Sequence, residues 1–218
     1  MNVNSPSCIC LMLSLLLLSF GLSVAEDLKP IQLPEPRMEG GRPLMEVLKD
    51  RQSSREFSPE ELSMQELSNL LWAAFGINRS DIGKRTAPSA RNKQEMDIYV
   101  ATADGLYLYE AKEHILRPVL AEDVREATGP QPFVKDAPVN LVYVADFAKM
   151  IGYTEDQKEF YSAANTGHIS QNVYLYCASE GLATVVRGLV DRPALAKKMG
   201  LRPDQKVLLA QTVGYPKK

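Results

Sequence analysis

The chain has 218 residues, 25 basic and 27 acidic side chains, a net charge of −2, and 45% hydrophobic against 24% charged residues. That balance excludes a disordered chain, and without a long Lys/Arg run it also excludes a nucleic-acid partner, whose phosphates demand a basic footprint. Three cysteines exclude a disulfide-rich scaffold. No C-x-x-C, H-E-x-x-H or G-x-x-x-x-G-K-[ST] pattern points to zinc or to a P-loop.

Residues 1–25 contain no Asp, Glu, Lys or Arg, and Ile9–Leu22 is an apolar run of 14 residues. A bilayer-spanning helix needs about 20. Small residues at Ser23 and Ala25, followed by Glu26-Asp27, fit cleavage after Ala25. The run is therefore expected to be an export signal, leaving a periplasmic or extracellular mature chain without a stable membrane span. Left uncleaved, it would be an N-terminal anchor. Only Cys177 remains after cleavage, so the mature chain has no intrachain disulfide.

Residues 26–42, with Pro30, Pro34, Pro36 and Gly40-Gly41, read as an extended linker or arm. A short helix is expected over Leu44–Lys49. Ser58-Pro59-Glu60-Glu61 carries a helix-start signal, and Ser63-x-x-Glu66 is a capping box. Leu67, Leu70, Leu71, Ala74 and Phe75 then form one apolar stripe that Gly76 ends, with Trp72 as packing. Asp97–Thr102 and Leu106–Glu110 flank Ala103-Asp104-Gly105, a hairpin cue, and Ile115–Leu120 continues the meander. Ala121–Thr128 reads as a short helix and Val139–Ala145 as a buried strand. Residues 156–180 read as a long helix with Phe160, Ala164, Gly167, Val173 and Cys177 along one side. Ala183–Val186 is strand-like, Asp191 caps a helix ending at Gly200, and Val207–Gly214 is the last strand. The mixture predicts one α+β domain over residues 43–218 with a mixed, mainly antiparallel sheet flanked by helices.

Arg51-Gln52-Ser53-Ser54-Arg55-x-Phe57 places two guanidinium groups and two hydroxyls within five residues, a donor set suited to a phosphate. Three further motifs follow in order: Arg85-Thr86-Ala87-Pro88-Ser89-Ala90, Gly167-His168-x-x-Gln171-Asn172 leading to Gly181-Leu182, and the closing Val213-Gly214-Tyr215-Pro216. Together they resemble the nitroreductase superfamily of FMN-dependent oxidoreductases, and most closely its SagB-type dehydrogenase branch. The resemblance implies a homodimer with two FMN molecules in the subunit interface. By it, Arg51, Gln52, Ser53 and Arg55 match the segment that grips the phosphate, ribityl chain and pyrimidine edge. Pro88, Ser89 and Ala90 match the segment that reaches the partner's flavin, and Val186, Arg187 and Gly188 match the backbone facing the flavin edge near N5. Where the SagB branch continues with Gly and Tyr-Pro, this chain has Arg91-Asn92-Lys93-Gln94, nearer the ordinary nitroreductase form. Only Lys217 and Lys218 follow the terminal motif, fewer basic residues than the family tends to have there.

The implied function is hydride transfer through FMN between a reduced donor such as NAD(P)H and a small organic acceptor. Two alternatives stand beside it: a non-catalytic binding module on the same fold, and a SagB-type dehydrogenase of peptide azolines. A cation near the flavin pyrimidine stabilises the reduced form, and Arg55 is the candidate. His114, His168 and Cys177 read as structural or surface groups, and Tyr107, Tyr109, Tyr174 and Tyr176 as packing.

Overall fold

The computed structural model describes residues 28–217; the expected leader and Lys218 lie outside the described residues. In chain order the elements are β1 (Ile31–Gln32), α1 (Leu44–Asp50), α2 (Met64–Phe75), β2 (Ile77–Arg79), β3 (Lys84–Arg85), β4 (Met96–Ala101), β5 (Leu106–Glu110) and β6 (Ile115–Leu120). They continue with β7 (Val139–Asp146), α3 (Glu155–Glu180), β8 (Ala183–Arg187), α4 (Arg192–Lys198) and β9 (Gln205–Gly214). The main sheet runs β1-β6-β5-β4-β7-β9-β8 and every pairing in it is antiparallel; β2 and β3 form a separate ribbon. This is the α+β, nitroreductase-like architecture the sequence predicts.

The sheet is covered on both faces. Ile98, Val100, Leu141 and Tyr143 pack with Leu67, Leu70, Leu71 and Phe75 of α2 and Ile169, Val173 and Cys177 of α3. The alternate residues Tyr99, Ala101, Val142 and Val144 pack with Leu195 and Met199 around α4. All eight residues of β7 are buried, in keeping with its apolar stretch Leu141–Ala145, and the buried Asn140 amide donates to Val134 O at 2.8 Å.

Three local expectations need correction. No helix starts at Pro59: Ser58 N–H bonds Tyr215 O at 2.9 Å and Phe57 pairs with Pro216, which holds this stretch extended. The helix begins at Met64, where Ser63 and Glu66 satisfy each other's backbone N–H groups. Ala121–Thr128 yields only a 3-10 turn over Arg125–Thr128, because Asp123 accepts from Arg125 N and competes with a regular helix. On α3 the expected stripe joins two sides. At 100° per residue Val173 lies about 140° round the helix from Phe160. Phe160, Ala164 and Gly167 are exposed, while Ser162, Asn165, Thr166, Ile169, Ser170, Val173, Tyr174 and Cys177 face the sheet. The polar members of that face are satisfied internally, as with Thr166 Oγ1 on Ser162 O at 2.7 Å and Asn165 Nδ2 on Glu95 Oε1 at 2.7 Å.

The arm adds an edge strand, with Ile31 opposite Leu116 and Leu33 buried. His114 fastens it. Its Nε2 lies 2.7 Å from Ser68 Oγ and 3.2 Å from Pro34 O, and its Nδ1 lies 3.0 Å from the Tyr109 hydroxyl. Pro34 O only accepts, so the neutral ring donates from Nε2 and accepts at Nδ1. Burial lowers the His114 pKa, partly opposed by the Pro34 carbonyl. A histidine whose folded pKa is depressed contributes stability present above its unfolded value of about 6.5 and lost as the pH falls through its lower folded value. The urea midpoint should therefore drop on acidification below about pH 6.5, and His114→Gln should flatten that slope. An identical slope in the variant would assign the acid sensitivity elsewhere.

Candidate functional site

The first motif follows α1 directly. Arg51 caps that helix through its N–H on Val47 O at 2.8 Å, and the chain then runs extended to Phe57. Ser54 N–H bonds Thr184 O at 2.9 Å, and Lys217 N–H reaches Glu56 O at 3.4 Å, beside the Phe57–Pro216 bridge. The motif is thus held between β8 and the terminal Val-Gly-Tyr-Pro segment. Tyr215 donates to Glu66 at 2.7 Å, and that hydrogen bond pushes its pKa up to about 12.

Tyr174 ties the site together. Its hydroxyl lies 2.8 Å from Ser53 Oγ and accepts from Val186 N–H at 2.9 Å, while its ring carries the Arg51 guanidinium 5.2 Å from the centroid. One buried phenol therefore joins the 51–55 segment to the edge strand β8. The sequence reading treats Tyr174 as packing. The clue to its larger role is its place on the sheet-facing stripe of α3, where a buried hydroxyl needs a partner. Among the described residues neither Arg51 nor Arg55 forms a salt bridge or a side-chain hydrogen bond, and Gln52, Ser53 and Arg55 are exposed. Two guanidinium groups without such partners form a donor set suited to a phosphate.

Arg187 differs from its neighbours. Its backbone is on the β8 edge, but its side chain is buried, 4% exposed. Nε donates to Thr212 Oγ1, one terminal nitrogen to Thr128 O and Gln131 Oε1, and the other to Thr128 Oγ1 and Asn140 Oδ1. Its guanidinium is therefore not free to meet a ligand, whereas Gly188 is exposed and its missing side chain leaves the strand end open.

Pro88, Ser89 and Ala90 lie apart from this cluster. Arg85 caps the end of α2 through Phe75 O at 2.8 Å and holds Gln94 Oε1 at 2.8 Å. Gln94 N–H bonds Ser89 Oγ at 2.9 Å. Arg91, Asn92 and Gln94 all have positive φ, a strained turn that these bonds maintain. Arg91 stacks on Tyr153, just before α3 begins, whereas Ser53 is tied to Tyr174, about 28 Å further along at 1.5 Å per residue. No hydrogen bond among the described residues joins segment 86–94 to segment 51–57.

The cleft beside the motif, lined by Gln52, Ser54, Tyr174, Cys177, Thr184 and Pro216, holds 210 Å³. That is below the roughly 300–1,000 Å³ of typical ligand pockets. Larger grooves of 1130 and 1050 Å³ lie along residues 57–64 and between α2 and α3, and none of the three is lined by Arg51 or Arg55. Cys177 is wholly buried, and burial pushes its thiol far up, which removes it as a nucleophile. His168 is exposed, no metal-binding group of three or more His, Cys, Asp or Glu forms among the described residues, and none of their helices is long and apolar enough to cross a membrane.

The nitroreductase family model matches residues 48–215, and the chain belongs to the nitroreductase family. A Methanocaldococcus jannaschii protein assigned as a nitroreductase is 34% identical over 172 residues, covering 74% of this chain and 85% of its own. A crystal structure assigned likewise, from Ralstonia eutropha JMP134, is 44% identical with a TM-score of 0.84, covering 90% of this chain and 93% of that one. The fold also matches an NADPH:FMN oxidoreductase from Vibrio harveyi complexed with NAD+, at 19% identity and a TM-score of 0.60 over 80% of this chain and 69% of that one.

Tyr174→Phe removes the shared hydroxyl and leaves Val186 N–H without its partner. The expected cost is about 1–3 kcal/mol in chemical denaturation, with faster hydrogen exchange at the Val186 amide. Unchanged exchange at Val186 would show that the hydroxyl does not hold the edge.

Proposed function

We propose that this nitroreductase-family chain is an FMN-dependent oxidoreductase, passing hydride between a reduced donor such as NAD(P)H and a small organic acceptor. The observation that carries the reading is the 51–55 segment itself: Tyr174 holds Arg51 and Ser53 beside Val186 of β8, and Arg51 and the exposed Arg55 form no salt bridge or side-chain hydrogen bond among the described residues. Bound FMN supplies the hydride-transferring position, so the protein's work is to orient, charge and shield it. Arg51 and Ser53 are assigned to the phosphate and ribityl chain. Arg55 is assigned to the pyrimidine edge, where a fixed cation favours the reduced form, and the 186–188 backbone faces the other edge. The Arg91-Asn92-Lys93-Gln94 stretch favours an ordinary nitroreductase over the SagB-type branch.

Arg51→Ala should weaken FMN binding by about 1.5–3 kcal/mol, roughly ten- to hundredfold in Kd. Arg55→Ala should lower the flavin potential while leaving FMN bound, and Arg55→Lys should fall between the two. FMN titration with redox titration of each variant separates the roles. Residues 26–218 should purify yellow; a colourless protein that takes up no FMN would favour a binding module on the same fold.

The site is proposed to be completed by a second copy. Segment 88–90 lies far along α3 from segment 51–55, and the outward face of α3 between them carries Phe160, 68% exposed, with Ala164 and Gly167. A partner helix laid antiparallel on that face would bring its own Pro88–Ala90 towards Arg51–Arg55. Light scattering of the FMN-loaded protein should give twice the chain mass, and Phe160→Glu should reduce both that mass and FMN retention. A monomer with full FMN affinity would overturn the shared site.

A further inference from the structure

Arg187 is buried with all of its guanidinium nitrogens hydrogen-bonded. A guanidinium this deeply buried is ordinarily matched by a carboxylate, because desolvating a charge costs several kcal/mol. Here the partners are neutral, namely Thr128, Gln131, Asn140 and Thr212, and no salt bridge to Arg187 forms among the described residues. Burial alone pushes its pKa down to about 10, so it keeps its charge at neutral pH. The protein therefore holds a positive charge behind the β8 edge with no carboxylate paired to it among the described residues. The surroundings are shaped to keep it there: a Cβ on Gly129 would collide with the guanidinium.

Position gives that charge a use. Val186–Gly188 is the edge assigned above to the flavin, and its N–H at Val186 is already tied through Tyr174 to the cofactor-gripping segment. The Arg187 guanidinium is one side chain's length behind that edge, on the opposite face of the sheet from Tyr174, screened from water by Thr128, Asn140 and Thr212. We propose that Arg187 is a tuning residue: its buried, uncompensated charge favours the electron-rich reduced state of a flavin bound against residues 186–188 and so raises the flavin reduction potential without touching it. The inference rests on the functional reading above and extends it to a residue that makes no ligand contact through its side chain.

A residue that only staples the Thr128–Gln131 loop would influence stability and leave the potential alone, which the test exploits. The potential of the FMN-loaded dimer is measured for wild type, Arg187→Lys, Arg187→Met and Asn140→Asp. Arg187→Met removes the charge at similar bulk. Asn140→Asp places a carboxylate where Oδ1 now accepts at 2.9 Å, neutralising the charge while the arginine stays. At an effective dielectric near 20, losing a charge at this range should weaken reduced over oxidised FMN by about tenfold, or about 30 mV for a two-electron couple. Arg187→Lys, which keeps the charge, should stay near wild type. Asn140→Asp keeps the test open where Arg187→Met loosens the loop and loses FMN. If either neutralised variant binds FMN with the wild-type potential, the proposal is overturned and Arg187 is a loop staple. A wild-type protein that takes up no FMN overturns the functional reading itself, and the tuning role with it.

Discussion

The strand Val139–Asp146 is paired along both edges and buried on both faces, and the other elements are arranged to meet that demand. Its odd-numbered side chains, Leu141 and Tyr143, need an apolar cover, which α2 and α3 supply. Its even-numbered ones, Val142 and Val144, need a second cover on the other face, supplied around α4. A strand satisfied in all four directions cannot itself present a ligand site. The candidate site lies instead at the sheet margin, where β8 has no further strand on one edge and the 51–57 segment lies against it.

The margin is organised by a single buried hydroxyl. Tyr174 projects from the sheet-facing side of α3 and settles three separate groups: the Ser53 side chain, the Val186 amide and the Arg51 guanidinium. The terminal Tyr215-Pro216 pair closes the other side against Phe57 and Ser58. Two of the four sequence motifs are thus in backbone contact although about 160 residues separate them. The remaining guanidinium, Arg187, is turned inward and held by neutral oxygen atoms, so that one short strand carries an accessible backbone in front of a buried charge.

Much of this was legible before folding. The capping box at Ser63 and Glu66, the stripe from Leu67 to Phe75 and the Asp104-Gly105 hairpin depend on neighbours three or four residues away. The helix from 155 to 180 was legible as a helix, but not its orientation: Phe160 and Val173 are both apolar, and only contact with the sheet selects between their opposite faces. Pro59 failed as a helix start for the same kind of reason, since its neighbours are claimed by a strand from the far end of the chain.

By itself the sequence determined the longer helices and most sheet strands, the α+β class and the four ordered motifs, because propensity, periodicity and capping are local and survive without a partner. Tertiary structure alone decided which motifs meet. Arg51 and Ser53 join Val186 through Tyr174, while Pro88–Ala90 remains at a distance on the same chain. It also decided that Arg187 is interior and Arg55 exposed, two arginines the sequence cannot tell apart. The physical reason is desolvation: whether a charge meets water or five fixed acceptors depends on residues brought together from loops and strands up to 59 positions away.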